Sequence, residues 1–585
     1  MSKDVYVLGI NYRPAAANDI GHHPAAALLR NGALVAMCEE ERFVRIKEAP
    51  GLFPLNAIQF CLARAGITIH DLAGTGWNWD PVKSAERGKR RRGPVLRELA
   101  STAQFMARNV LPRQIGSLLS NGFLPERIVD HLRSQLLYWL GLDSAAPLVC
   151  IDHHLAHAAS AYHASGFPQA TIVTWDCWGD QLSGMVARGE GSRIEVIEEM
   201  PFERFSIGQL NDFVYEFLRT SEKGNLMGLA PYGTPRGLLD DLVDVEALSM
   251  RGDCLARRAP FPEELLRRAG PPRRIGEPLE QIHKDLAADL QQKIEAFGMK
   301  IVRRAVEATG LRDICFAGGC ALNATLNGKI GRSGLVDRMM IQPAAGDAGG
   351  ALGAAYLAHL ALGHALPPQE LTHAYWGPFF TNEEIVEQLD QAKLPYEILP
   401  DEDIAPCVAE ALADQQIAGW FQLGSEWGPR ALGARSIIAD PRREAVRDRV
   451  NRAIKYRDWW RPFAPSMLAE AAEDYLEGAF YAPFMIVTFP VRPHRAPELA
   501  GVTHCDGTTR PQMVRREVNP RYYDMIAAFA ERTGVPMVLN TSFNLKGEPM
   551  VNTPRDALRT FFSSGLDLLI MNNVLVRKPR LPRAS

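Results

Sequence analysis

The stretch Ala170-Thr171-Ile172-Val173-Thr174-Trp175-Asp176-Cys177-Trp178-Gly179-Asp180 reads as an apolar strand that ends at Asp176 and opens into an acidic loop. Gln181 to Arg188, a turn at Gly189 to Ser192, and Arg193 to Glu199 follow as two further strands. The same design stands at the start of the chain. Asp4 to Ile10 is a strand, and a polar loop carries Asp19, His22 and His23. Ala25 to Arg30, an Asn31-Gly32 turn and Ala33 to Glu39 complete the set. Asn-Gly between apolar runs is a strong hairpin signal. Strand, acidic or histidine loop, strand, Gly turn, strand therefore occurs twice. The pattern predicts an α/β fold of two related halves facing a central cleft; the alternative is two unrelated meanders.

Downstream segments extend the α/β reading. Asp313 to Ala317 is a short strand that enters Gly318-Gly319-Cys320-Ala321-Leu322-Asn323 and then a helix. Met339 to Gln342 is another strand, followed by a turn holding Gly346, Asp347, Gly349 and Gly350 and by a small-residue helix. Glycines between strand and helix let the backbone approach a phosphate or nucleoside closely, with the helix N-terminus facing the anion. Gly318, Gly319, Asn323 and Gly346 are accordingly the candidate nucleotide contacts. From Leu366 to Tyr375 the sequence turns to Pro-Pro and polar residues, which predicts a boundary between a domain over 1–366 and another over 375–585.

Composition narrows the function classes. The 585 residues carry 65 Lys plus Arg and 68 Asp plus Glu, a formal charge of -3. That excludes the global basic field of a nucleic-acid binder. Lys83, Arg87, Lys89, Arg90, Arg91 and Arg92 form a local basic run, read as a solvated helix face. Nine cysteines without a CxxC pair suit a thiol-reduced, cytoplasmic protein. The N-terminus lacks a signal-peptide pattern, and the apolar runs fall short of the ~20 residues that span a membrane.

The sharpest chemical motif is Asp152-His153-His154-Leu155-Ala156-His157. A strand, Pro147 to Ile151, ends there and a helix begins. His153 and His157 stand at i and i+4, so both rings share one face, as two imidazole ligands of a divalent ion require. Asp176 and Asp347 are the natural carboxylate partners. Mixed nitrogen and oxygen ligation suits iron, manganese or zinc. The glutamate of a zinc-protease HExxH motif is absent. The alternative is capping and core histidines.

A second constellation is cationic: Arg430 in Gly428-Pro429-Arg430, Lys455 with Arg457, Arg461 before Pro462, Arg510, and Asn540-Thr541-Ser542-Phe543-Asn544. Arginine forks match phosphate oxygens, and a lysine adds a point charge. A strand ending in Asn540, Ser542 and Asn544 sets amide and hydroxyl donors beside them.

Together these motifs make the chain resemble the O-carbamoyltransferases of the nodulation-protein and antibiotic-tailoring type. Further carriers of the likeness are Glu39-Glu40-Glu41-Arg42, Met227-Gly228-Leu229-Ala230-Pro231-Tyr232-Gly233 and Arg461-Pro462-Phe463-Ala464-Pro465. The resemblance implies a duplicated actin-like (Kae-like) ATPase-type N-terminal domain over 1–366 and an α/β YrdC-like C-terminal domain over 375–585. It implies that carbamoyl phosphate and ATP, with Mg2+, form carbamoyl adenylate in the second domain. The first domain then transfers the carbamoyl group to a hydroxyl of a small acceptor, such as a secondary metabolite or sugar. By the same resemblance His153, His157, Asp176 and Asp347 match a metal site, with Fe2+ the expected ion. His22 matches the catalytic histidine, and Lys455, Arg461, Arg510 and Ser542 match the carbamoyl-phosphate and nucleotide pocket.

The chain departs from the family pattern at several points. His22-His23 stands where many relatives have His-Asp, so His23 joins His22 as a candidate base. Asn225 replaces a lysine, and Leu423-Gly424 replaces a Gly-Arg pair. Two other readings are a threonylcarbamoyl-adenylate enzyme acting on tRNA, which the net charge disfavours, and a non-catalytic nucleotide-binding scaffold, which the full His, Asp, Lys and Arg set disfavours. Neither nucleic acid nor membrane is an expected partner. Oligomeric state stays open, a homodimer included. Acceptor specificity is expected in Pro81 to Arg127 and Thr234 to Glu277.

Overall fold

A computed structural model of the protein describes residues 4–13, 21–80, 83–84, 87, 125–143, 146–255 and 260–578. Asp19, Lys89, Arg90, Arg91, Arg92 and most of the stretch from Pro81 to Arg127 lie outside the described residues.

The first sheet holds β1 (Tyr6–Asn11), β2 (Ala25–Arg30), β3 (Ala33–Glu39), β4 (Leu72–Trp77) and β5 (Leu148–Cys150), in the order β3-β2-β1-β4-β5. β3, β2 and β1 run antiparallel, while β4 and β5 join in parallel. Asn31 and Gly32 have φ of 52° and 81°, the positive values that a tight hairpin turn of this hand requires.

The second sheet repeats the plan. Its strands are β6 (Gln169–Gly179), β7 (Leu182–Glu190) and β8 (Arg193–Pro201). After a short hairpin of β9 (Val243–Asp244) and β10 (Ser249–Met250) come β11 (Asp313–Ala317) and β12 (Arg338–Ile341). The order is β12-β11-β6-β7-β8, again with three antiparallel strands and two parallel ones. Within each half the third, second, first, fourth and fifth strands lie side by side. This is the duplicated actin-like architecture, and it excludes two unrelated meanders. One detail differs from expectation. β6 does not stop at Asp176 but continues to Gly179 through an irregular stretch in which the pairing register shifts after Trp175. Such an irregularity re-aims side chains out of the pleat, and Asp176 sits in it.

The third sheet is built wholly from residues beyond 396. Its strands are β13 (Glu397–Ile398), β14 (Ala418–Phe421), β15 (Arg435–Ala439), β16 (Ala464–Leu468), β19 (Gln512–Val514), β20 (Met537–Ser542), β21 (Leu568–Met571) and β22 (Val574–Arg577). A small ribbon of β17 (Phe489–Pro490) and β18 (Thr508–Thr509) stands apart. The order β13-β22-β21-β14-β15-β20-β16-β19 is mixed, parallel at β14/β21 and β16/β19. This is the α/β sheet expected of the YrdC-like type.

Core packing does not stop between the sheets. Met37, Phe316, Trp427 and Phe543 belong to one continuous buried cluster, so apolar burial holds all three sheets in one body. No disulfide joins any of the nine cysteines. No helix among the described residues is long and apolar enough to cross a membrane.

Candidate active site in the cleft

Asp152 ends the β5 segment and caps the helix His153–Tyr162, its carboxylate accepting from the Leu155 N–H at 3.0 Å. Capping fixes where the helix starts, and the start fixes where His153 and His157 point. Their Nε2 atoms lie 3.1 Å apart. The irregular end of β6 brings Asp176 Oδ2 to 3.3 Å from His157 Nε2 and 3.5 Å from His153 Nε2. The turn after β12 brings Asp347 Oδ1 to 3.7 Å from both. Two ligands on one tetrahedral zinc-sized ion stand about 3.4 Å apart, given bonds of about 2.1 Å. The four donors therefore fit a single divalent cation. His154, by contrast, points away and meets Thr174 Oγ1 at 2.9 Å, and burial pulls its pKa down to about 3.

The electrostatics agree with that fit. Burial works against charge on Asp176, yet hydrogen bonding to His153 and His157 holds its carboxyl well below the usual range. Burial and neighbouring Asp176 oppose charge on Asp347, and His157, His22 and His153 outweigh them. Burial also opposes protonation of His157, but Asp176 and Asp347 keep its pKa up at about 9. Two ionised carboxylates thus generate a field that favours positive charge between them.

The helix that follows Asp347, Gly350–Ala361, fixes the cluster from behind. A Cβ on Gly9 of β1 would stand 2.0 Å from the Ala351 carbonyl oxygen, and one on Gly76 of β4 would stand 2.2 Å from that of Ala354. On its other side a Cβ on Gly353 would stand 1.7 Å from the Ala156 carbonyl oxygen, inside the histidine helix. Backbone meets backbone along both seams, so the Asp347 turn and the helix bearing His153 and His157 are locked together.

His22 and His23 are separated from β2 by one residue, Pro24. His23 adopts φ 57°, and its backbone is tied by Asn11 Nδ2 donating to its carbonyl oxygen at 2.8 Å and by its N–H donating to Glu48 O at 2.8 Å. The Nδ1 atoms of the two rings are 2.9 Å apart, and His22 Nδ1 is 3.4 Å from Asp347 Oδ2. Both candidate bases therefore border the cluster of His153, His157, Asp176 and Asp347.

The glycine turns divide by role. Gly318 has φ 93°, and a Cβ there would meet the Trp175 carbonyl oxygen at 2.2 Å. It does not line the cleft, so its need for glycine comes from packing on β6. Gly319 and Gly346 do face the cleft. Asn323 lines it too, but its Oδ1 caps the helix Ala324–Arg332, and its amide exchanges hydrogen bonds with Gln291 at 3.0 and 3.2 Å.

Across the cleft lies the cationic group. Lys455 ends an irregular helical turn, and its Nζ donates to Asn544 Oδ1 at 2.8 Å and to Ser542 Oγ at 3.1 Å. Burial, then the charges of Arg457 and Arg461, push its pKa well below the ordinary lysine value. Burial and Arg461 bring Arg430 to about 10 and Arg457 to about 9, and burial with Arg430 beside it holds Arg510 well below the ordinary arginine value. The Glu222 carboxylate meets this group, 3.1 Å from Arg461, and lies 2.6 Å from Lys47. Five crowded cations facing one another create a demand for anionic charge. Asn540 is spent on structure, its amide donating to Ala431 O at 3.0 Å and Ser466 Oγ at 2.8 Å. Both groups open onto one cavity of about 930 Å³ that runs from Asp176, Asp347 and His22 to Lys455, Arg510 and Ser542.

Residues 18–356 match the family described as Carbamoyltransferase N-terminus, and residues 409–578 match Carbamoyltransferase C-terminus. The chain belongs to the carbamoyltransferase family. It is similar to nodulation protein NolNO of Sinorhizobium fredii (strain NBRC 101917 / NGR234), 38% identical over 96% of this chain and 80% of the relative. It is also similar to the 3'-hydroxymethylcephem-O-carbamoyltransferase of Streptomyces clavuligerus, 28% identical over 69% of this chain and 75% of that one. Among solved structures, HypF of T. kodakarensis aligns at a TM-score of 0.30 with 13% identity, over 61% of this chain and 48% of that chain.

In this carbamoyltransferase several cleft residues escaped the sequence reading. Glu39 and Arg42, both buried, reach from the end of β3 to the loop that carries Arg430. Glu39 Oε1 accepts from the Gly428 N–H at 2.8 Å, and Arg42 donates to Gly428 O at 2.7 Å. Arg45 donates to Pro549 O at 2.8 Å on the same face. The quoted Glu-Glu-Glu-Arg run hinted at a role without naming a partner. Lys47 and Glu222 carried no signal, since they lie outside every motif that the sequence displayed. Arg87 corrects the reading of the basic run: it is no solvated charge but pairs with Asp152 at 2.5 Å and with Glu199.

Proposed function

We propose that this carbamoyltransferase is an ATP-dependent O-carbamoyltransferase that works in two steps within one chamber. At the cationic pole, water hydrolyses carbamoyl phosphate, breaking the bond between the carbamoyl group and the phosphate to give carbamate and inorganic phosphate. The carbamate oxygen then attacks the α-phosphorus of ATP, giving carbamoyl adenylate and expelling pyrophosphate. At the other pole an acceptor hydroxyl attacks the carbamoyl carbon and AMP leaves. The observation that carries this reading is the single cavity with cations at one end and the histidine and aspartate cluster at the other.

The division suits the chemistry. An alcohol is a weak nucleophile at neutral pH, and adenylation supplies a good leaving group. Arg430, Lys455, Arg457, Arg461 and Arg510 hold the phosphate oxygens, with Ser542 and Asn544 orienting Lys455. His153, His157, Asp176 and Asp347 would hold a divalent ion, Fe2+ by the family resemblance, which supplies positive charge beside the departing phosphate. His22 takes the acceptor's proton. Gly319 and Gly346 leave room for the nucleotide to approach the backbone. An enclosed path limits hydrolysis of the intermediate. The acceptor is a small hydroxylated molecule, as the hydroxymethyl group named for the cephem relative suggests. The boundary between residues 366 and 375 separates the transfer domain from the adenylate-forming one.

The test is direct. Purified protein given carbamoyl phosphate and ATP should release pyrophosphate before any acceptor is present. ADP as the only nucleotide product would overturn the adenylate route.

A further inference from the structure

Asp347 faces two donor sets at once. Its Oδ1 lies 3.7 Å from the Nε2 atoms of His153 and His157, while its Oδ2 lies 3.4 Å from His22 Nδ1. His22 Nδ1 in turn lies 2.9 Å from His23 Nδ1. The ligand atoms of His22, His23 and Asp347 all fall within 4.8 Å of one another, as do those of the four-residue cluster. A carboxylate that gives one oxygen to each of two nitrogen-rich groups is the arrangement by which a pair of ions is bridged at about 3.5–4 Å.

We propose that His22, His23 and Asp347 form a second divalent-cation site, joined to the first through the Asp347 carboxylate. Two imidazoles and one carboxylate suit a borderline ion such as Zn2+, Co2+ or Mn2+. The charge balance permits it: Asp176 and Asp347 neutralise the first ion, and Glu41 and Glu48 line the cleft beside His23. Glu41 also pairs with Arg42 at 3.1 Å, which leaves Glu48 as the freer of the two.

The two sites differ in access. His157 is fully buried and His153 nearly so, while the His22 side chain is 46% exposed. The second site therefore keeps open positions for water, exchanges readily and binds more weakly. The backbone supports a built pair of ligands and not a chance meeting of rings. His23 is held at φ 57° by hydrogen bonds at both its N–H and its carbonyl, which turns its ring onto His22. A consequence rests on the proposed function: an imidazole bound to a cation cannot accept the acceptor's proton. Filling the second site should therefore switch transfer off, making excess metal an inhibitor.

Equilibrium dialysis of the full chain against Co2+, with the visible absorption of bound Co2+ as a second readout, tests the site without reference to turnover. Two equivalents are expected for the wild type, one tight and one weaker. His23→Asn should keep the tight ion with unchanged affinity, which also shows that the variant is folded. It should weaken the second by about tenfold or more, the least expected from losing a direct ligand. A single equivalent in the wild type would mean that the two rings merely share a proton, and the proposal would fall. A second equivalent indifferent to His23→Asn would overturn it as well. Single-turnover transfer from preformed adenylate, followed as the second ion fills, separates the two readings. Transfer that falls with occupancy supports both, whereas full transfer with two ions bound keeps the site and overturns His22 as the base.

Discussion

The guanidinium of Arg42 donates to the carbonyl oxygen of Gly428 at 2.7 Å, across 386 residues of chain. Glu39 accepts from the same glycine's N–H and stands 3.3 Å from Arg42. Gly428 can occupy this position because it has φ 100° and no Cβ to strike the Pro343 carbonyl oxygen, 2.6 Å from where one would lie. A buried ion pair thus clamps the start of the Arg430 loop to the first half of the molecule.

Removing one partner of such a pair leaves the other charged and buried, at a cost of about 3–5 kcal/mol. Arg42→Met should destabilise by about that amount in urea unfolding, and Glu39→Leu by less, because Arg42 keeps Glu41 at 3.1 Å. The double variant should lose clearly less than the two single losses added together. Strict additivity would mean that the two side chains act independently.

The pH dependence of activation follows from Lys455. Burial and the neighbouring arginines lower its pKa well below the ordinary 10.5, so it loses its proton, and its hold on a phosphate, sooner than an exposed lysine would. For pyrophosphate release, kcat/KM should fall on the alkaline side well before pH 10.5. The neutral amine is favoured in the folded protein, so this group's contribution to stability improves as pH rises while anion binding weakens. Lys455→Arg should remove that alkaline limb even at a lower rate, and Lys455→Met should cost about 10²–10³ in rate. A limb that persists in Lys455→Arg would assign it to another group.

Separating the half-reactions tests the two poles. His153→Ala or Asp347→Ala should abolish carbamoyl transfer and leave pyrophosphate release largely intact, because the cationic group stands apart from both residues. Loss of both activities in a folded variant would refute the division of labour.

His22→Asn should reduce transfer by about 10²–10⁴, the usual worth of a general base, and let carbamoyl adenylate accumulate. His23→Asn should cost less, since a water can bridge a lost orienting contact. Single-turnover transfer measures both, and a larger loss at His23 would reverse the assignment.

Much of this was readable in the sequence because it is local. Alternating apolar runs with Asn31-Gly32 and the turn before Arg193 marked the duplicated strands, although β7 runs on through Gly189 to Glu190, and an i,i+4 histidine pair can point only one way on a helix. Asp347 announced itself by its glycine turn. The rest depends on contacts that no window of sequence contains. Gly318 looked like a phosphate contact, but its positive φ and its packing on Trp175 explain it. β6 looked finished at Asp176, but it runs on through an irregular stretch that aims that carboxylate. The Glu39–Arg42–Gly428 clamp and the Glu222 contacts with Lys47 and Arg461 join segments hundreds of residues apart.

The glycine seams around the helix Gly350–Ala361 have a bearing on which ion the proposed site would accept. Side chains can shuffle to suit a larger or smaller guest, but touching main chains cannot. With Gly9, Gly76 and Gly353 leaving no slack, the cradle that positions Asp347, His153 and His157 has a nearly fixed bore. Discrimination between ions of different radius should then reside in three residues that carry no donor atom in their side chains. Enlarging any one of them to alanine should blur metal preference while every ligand remains in the sequence.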